Sequence, residues 1–109
     1  MKVLVTGGAG YIGSVTVEAL RKESHEVFIL DNLSTGHRQS IDPSVSFFQV
    51  NLQNKAELQK VFDQSKPDTV IHFAASSLVG ESVNDPAKYM DNNVGGTLNL
   101  LRCMKESGT

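Results

Sequence analysis

The sequence predicts an α/β domain on a doubly wound parallel sheet, with four strands in the order 3-2-1-4. Three observations predict it. Short β-branched apolar runs alternate with stretches of helical period along all 109 residues. The first run leads into a glycine-rich turn, VTGGAGYIGS, that opens the first helical stretch. An acidic residue, Asp31, closes the second run. Strands alternating with helices form βαβ units, and right-handed crossovers leave few ways to connect them.

Val3-Leu4-Val5 reads as a buried strand. Tyr11 to Lys22 reads as a helix, with Ile12, Val15, Ala19 and Leu20 expected on its inward side. Val27 to Leu30 is the second strand, followed by the polar loop DNLSTGHRQSID. Val45 to Val50 is the third. Lys55 to Gln64 is the second helix, with Leu58, Val61 and Phe62 facing in. Lys66-Pro67-Asp68 turns the chain into a fourth strand, Thr69 to Phe73. After a loop of small residues, Asp85-Pro86 opens a long helix, because proline suits a first helical position. That helix is expected to turn Val94, Leu98, Leu101 and Met104 inward and to stop near Ser107-Gly108.

Apolar residues make up 39% of the chain and charged residues 20%, an ordinary globular balance. The net charge is -2, and the 10 basic residues are scattered, which argues against a nucleic-acid or anionic-membrane surface. One cysteine, Cys103, cannot pair within the chain and fits a reducing compartment. The start, MKVLVTGG, is too short in its apolar part for a signal peptide, and no apolar run is long enough to span a membrane. A cytoplasmic protein is the expectation.

Gly7, Gly10 and Gly13 recur at a spacing of three, and Gly8 to Gly13 also reads G-x-G-x-x-G. Between a strand and a helix, with Asp31 ending the next strand, this is the dinucleotide-binding fingerprint in its proper context. The first glycines permit a tight turn and let a pyrophosphate touch the backbone. Gly13 lets helix and strand pack closely. The helix start offers unpaired N–H groups and a positive dipole end. Asp31 can accept from ribose hydroxyls and would repel a 2′-phosphate, so NAD is expected in preference to NADP. No Lys follows Gly13, which excludes a P-loop. His72 reads as a packed strand residue rather than a base, Cys103 as a partly buried thiol, and His25 and His37 as isolated, with no metal-ligand spacing. The loop from Ser34 to Asp42 reads equally as a solvated connection or a lid on the ribose.

TGGAGYIGS, LDNLSTGHR, IHFAA, VGES and YMDNNVGGTLNLL together resemble the extended short-chain dehydrogenase/reductase family over the whole chain. The likeness is strongest to its nucleotide-sugar 4-epimerases. It implies a Rossmann-type NAD-binding domain over residues 1–109, incomplete at the carboxy end, in an enzyme that interconverts UDP-glucose and UDP-galactose. The sugar C4 is oxidised to a ketone by bound NAD and reduced again from the other face. A homodimer is expected. The Tyr and Lys of the proton relay, with an assisting Ser or Thr, are implied beyond residue 109, so no catalytic residue is assigned here.

The resemblance carries the cofactor half residue by residue. Tyr11 and Ile12 touch the pyrophosphate through the backbone. Asp31 and Asn32 bind the adenosine ribose, with Leu33, Ser34, Thr35 and Gly36 lining that pocket. Asn51 and Leu52 meet the adenine. Phe73, Ala74, Ala75, Ser76 and Ser77 pass under the nicotinamide side, and Asn92 lies beside the cofactor. The chain departs from the family pattern with Asn51 for an Asp, Ser77 for a Lys and Val15 for a His. A nucleotide-sugar dehydratase or reductase of the same family, or an NAD-binding module without catalysis, remain open as alternatives.

Overall fold

The computed structural model describes residues 1–33, 39, 41–73, 87 and 91–109, with the backbone alone at 91 and 92. The expected start of a helix at Asp85-Pro86 therefore lies outside the described residues. The elements run β1 (Lys2–Thr6), α1 (Tyr11–Lys22), β2 (Glu26–Asp31), β3 (Ser46–Gln49), α2 (Lys55–Ser65), β4 (Thr69–His72), a π-helical turn (Asp91–Gly95) and α3 (Gly96–Ser107). The strands form one sheet in the order β3-β2-β1-β4. All three pairings are parallel, with Val3 opposite Val27 and Thr69, and Phe28 opposite Ser46. This is the doubly wound α/β arrangement that the alternation predicts.

The period of two along each strand divides the core. Val3, Val5, Val27 and Ile29 join Val17 of α1 on one face, with Leu20 packed against them. Leu4 and Leu30 join Leu58, Val61 and Phe62 of α2 and Leu100 and Cys103 of α3 on the other. Each large side chain buried there, such as Leu58 or Phe62, contributes roughly 2 kcal/mol through apolar burial. At the start of α2 the Asn54 side chain accepts from the Glu57 N–H, and Glu57 lies in the first turn near the positive dipole end. Helix α3 stops at Gly108, whose φ of 73° places it in the left-handed region.

Two helices are rotated from the expected faces. In α1 the buried positions are Gly13 and Val17, while Ile12 and Val15 are 64% and 55% exposed. Ala19 also faces solvent, so of the expected inward set only Leu20 packs against the core. The phase is set by Gly13, which must face the backbone of the glycine turn. Hydrophobic periodicity gives a glycine no weight, though it is buried because it has no side chain. In α3 the inward set is Gly96, Leu100 and Cys103, with Met104 packed beside it. Val94, Leu98 and Leu101 are exposed, contrary to expectation. Gly96 lies against Leu52: a β-carbon on it would stand 3.1 Å from the Leu52 Cβ. The preceding π-helical turn, with its i→i+5 spacing, also breaks the simple 3.6-residue count.

Cys103 is fully buried, and burial pushes its thiol above its ordinary value. It is expected to stay unreactive toward an aromatic disulfide reagent in the folded protein and to react fully in denaturant. A native rate equal to the denatured rate would mean that α3 does not pack on the sheet as described. Among the described residues no helix is long and apolar enough to cross a membrane.

Candidate nucleotide-binding site

The expected site residues that are described collect at the carboxyl ends of the strands. There the strand order reverses between β1 and β4, the place where open α/β sheets form a ligand crevice. Gly7 leaves β1 with a φ of 76°, a conformation that a side chain would strain. Its N–H donates to the Leu30 carbonyl, and its own carbonyl accepts from Gly10. Gly13 faces this turn so closely that a β-carbon would lie 2.1 Å from the Gly7 oxygen. The turn therefore delivers the chain directly into α1. No side chain caps α1 at Gly10, and its first turn holds no acidic residue. The intrahelical ladder begins at the Ser14 N–H, which donates to the Gly10 carbonyl. The N–H groups of Tyr11, Ile12 and Gly13 precede it, at the positive end of the helix dipole. Tyr11 is 86% exposed, so this end of the helix is open to a ligand.

Asp31 ends β2 and is only 7% exposed. One carboxylate oxygen accepts from the Ala9 N–H at 3.0 Å, inside the glycine turn. The other accepts from the Leu33 N–H at 2.8 Å. Leu33 has a φ of 61°, which costs a side-chain-bearing residue about 1–2 kcal/mol, and the bond to Asp31 offsets that strain. Each carboxylate oxygen still has a lone pair for a hydroxyl donor. Asp31 thus ties the turn after β1 to the turn after β2 and presents an acceptor between them.

Asn51 follows β3 and is exposed; its side-chain oxygen accepts from the Gln53 N–H at 2.9 Å, forming the turn into α2. Leu52 is buried, and its carbonyl accepts from the Asn99 side chain of α3 at 2.9 Å. Phe73 leaves β4 with its N–H on the Thr6 carbonyl at 2.8 Å and is 38% exposed. The backbone of Asn92 lies in the π-helical turn. Ser34, Thr35, Gly36, Ala74, Ala75, Ser76 and Ser77 lie outside the described residues, as does His37.

Behind the site, Arg21 of α1 bonds Asp42 at 3.0 Å and Ser44 at 2.9 Å. The Ser44 N–H and hydroxyl, followed by Arg21, hold the pKa of the Asp42 carboxyl down to about 2. Among the described residues no group of three or more His, Cys, Asp or Glu is placed to hold a metal. His72 is a strand residue, as its sequence context predicts, but it is also a bridge. Its Nδ1 lies 2.6 Å from the Thr6 hydroxyl and its Nε2 lies 3.2 Å from the Thr97 hydroxyl. Burial lowers its pKa, favouring the neutral ring. Sequence reasoning assigns no role to Ala9, Thr6 or Thr97. The position of Ala9 inside the glycine motif is the available signal; nothing in the sequence pairs residue 72 with residue 97.

The NAD dependent epimerase/dehydratase family model matches residues 3–109. A UDP-glucose 4-epimerase of Lacticaseibacillus casei is 49% identical over 108 residues, covering 99% of this chain and 33% of the relative. One of Lactobacillus helveticus is 50% identical over 107 residues, covering 98% of this chain and 32% of the relative. The Thermus thermophilus UDP-glucose 4-epimerase, solved in complex with NAD, superposes with a TM-score of 0.97 at 44% identity, over 99% of this chain and 35% of that one. The chain thus spans about a third of the length of the curated relatives it matches. With the glycine turn, the buried acid of β2 and the strand order all in place along the matched length, the chain belongs to the NAD dependent epimerase/dehydratase family.

Proposed function

We propose that the chain is the amino-terminal, NAD-binding part of a nucleotide-sugar 4-epimerase that interconverts UDP-glucose and UDP-galactose. One observation carries the binding half of this reading. Asp31 is locked between the glycine turn and the turn after β2, beside a helix start that no side chain caps. That pairing of donors and acceptor fits a dinucleotide: N–H groups donate to a pyrophosphate and a carboxylate accepts from a ribose. The identity to UDP-glucose 4-epimerases supports the sugar.

The N–H groups of Tyr11, Ile12 and Gly13, with Gly7 and Gly10 clearing the approach, hold the pyrophosphate. Asp31 and Asn32 bind the ribose, and Leu33, Ser34, Thr35 and Gly36 line its pocket. Asn51 and Leu52 border the adenine, Phe73, Ala74, Ala75, Ser76 and Ser77 pass under the nicotinamide side, and Asn92 lies beside the cofactor. Bound there, NAD supplies a reversible hydride acceptor for the sugar C4. These residues bind and orient; the groups that move the hydroxyl proton are assigned to the remaining two thirds of the enzyme's length, where the UDP-sugar also sits. We place the enzyme in the cytoplasm, in galactose metabolism, as a homodimer. The exposed Val94 of the π-helical turn and Leu98 and Leu101 of α3 offer an apolar surface that such a contact, or the rest of the enzyme, would cover.

The complete protein is expected to release NAD when denatured and to convert UDP-galactose to UDP-glucose without added cofactor. The 109-residue chain is expected to show no turnover. Released NAD with loss of water from the sugar, instead of C4 inversion, would assign the chain to a dehydratase. The absence of both NAD and turnover in the complete protein would overturn the proposal.

A further inference from the structure

We infer that His72 is a positioning residue which, through the Thr6 and Thr97 hydroxyls, holds three segments of the nucleotide site in one register: the glycine turn, the exit of β4 and the start of α3. The inference rests on the reading of this site as an NAD site and goes beyond it, because that reading gives His72 no role.

The placement of the three residues supports this role. Thr6 is the last residue of β1, fully buried, and Gly7 follows it directly. His72 is the last residue of β4 and the parallel-register partner of Thr6. Phe73, next in the chain, donates its N–H to the Thr6 carbonyl at 2.8 Å. The side chains repeat that tie, with Thr6 Oγ1 2.6 Å from His72 Nδ1. The ring then reaches out of the sheet to Thr97 Oγ1 at 3.2 Å. Thr97 stands in the first turn of α3, two residues after the π-helical turn that contains Asn92. Neutral imidazole has one N–H and one bare nitrogen, and a threonine hydroxyl can donate or accept. Either tautomer therefore closes both bonds. One side chain thereby joins β1, β4 and α3.

The two bonds have separable consequences. The Thr6 bond lies within the sheet, next to the adenosine and pyrophosphate side. The Thr97 bond ties the start of α3 to the exit of β4, whose following residues the proposed reading puts at the nicotinamide. The hold of α3 on Leu52 at the adenine border runs through Gly96 and Asn99 and does not depend on that bond. Thr97→Val keeps the side-chain shape and removes the hydroxyl. In the complete protein, stripped of cofactor, it is expected to weaken NAD about fivefold by calorimetric titration, the worth of one neutral hydrogen bond. ADP, which occupies only the adenosine and pyrophosphate half, is expected to bind within about twofold of wild type by the same reasoning. Thr97→Ser restores the hydroxyl and is expected to restore NAD binding. His72→Asn keeps a polar atom near the Nδ1 position but is too short to reach Thr97. It is expected to show the same loss confined to NAD, and it decides the matter if Thr97→Val does not fold. NAD binding unchanged in both variants, or NAD and ADP weakened equally, overturns the positioning role while leaving the site reading intact. A wild-type protein that binds neither ADP nor NAD overturns both.

Discussion

Gly13→Ala is expected to cost about 3 kcal/mol of stability and to abolish measurable NAD binding. The added methyl would stand 2.1 Å from the Gly7 oxygen and 2.9 Å from the Gly7 carbonyl carbon and the Gly8 Cα. All three are backbone atoms of the turn that must stay in place, so no side chain can swing away to make room. Relief requires α1 to move off the sheet, taking Val17 out of the core and the Tyr11 and Ile12 N–H groups away from the turn. Thermal unfolding and calorimetric titration check both effects together. The expected fall in melting temperature is more than about 10 °C, at about 4–8 °C per kcal/mol for a domain of this size. A variant with wild-type melting temperature and wild-type NAD affinity would show that the turn and α1 do not meet as described.

Asp31→Ala is expected to act on both stability and specificity. It leaves the Ala9 and Leu33 N–H groups without their carboxylate partner, one of them in a buried setting. Bonds to a charged group contribute about 1.5–3 kcal/mol each, and a total loss of about 3 kcal/mol is expected after water enters the vacated space. NAD affinity falls further than stability alone requires, by about 10–100-fold, because the ribose loses its acceptor. The same substitution removes the charge that would repel a 2′-phosphate. The preference for NAD over NADP is therefore expected to shrink toward one. Paired titrations with NAD and NADP check this. If the variant retained a strong preference for NAD, discrimination would have to come from another residue.

The sheet was legible in the sequence because its strands are short apolar runs, β-branched in β1, β2 and β4, separated by strong breaks. Val3-Leu4-Val5 and Val27 to Leu30 lie within β1 and β2, and Tyr11 to Lys22 matches α1 end to end. Leu58, Val61 and Phe62 face the core from α2 as their spacing predicts. The faces of α1 and α3 were not legible because glycines set them. Gly13 and Gly96 are buried by close approach of their neighbours, which an apolar count does not register. Asp31 was legible as an acid at the end of a strand. Its bond to Ala9 was not, because that contact needs the turn's conformation as well as its composition. The Thr6–His72 pair follows from parallel register once β1 and β4 are neighbours. The reach to Thr97 depends on where α3 settles after the π-helical turn, and no local pattern encodes that.

The most direct measurement is a crystal structure of the complete protein with NAD. Pyrophosphate oxygens are expected within hydrogen-bond distance of the N–H groups at the start of α1, about 2.7–3.2 Å. Both adenosine ribose hydroxyls are expected on Asp31, with the Asp31 bond to Ala9 still present. A nucleotide seated elsewhere on the sheet, or one whose phosphates rest on side-chain cations while the glycine turn and Asp31 touch nothing, would contradict this assignment of the site.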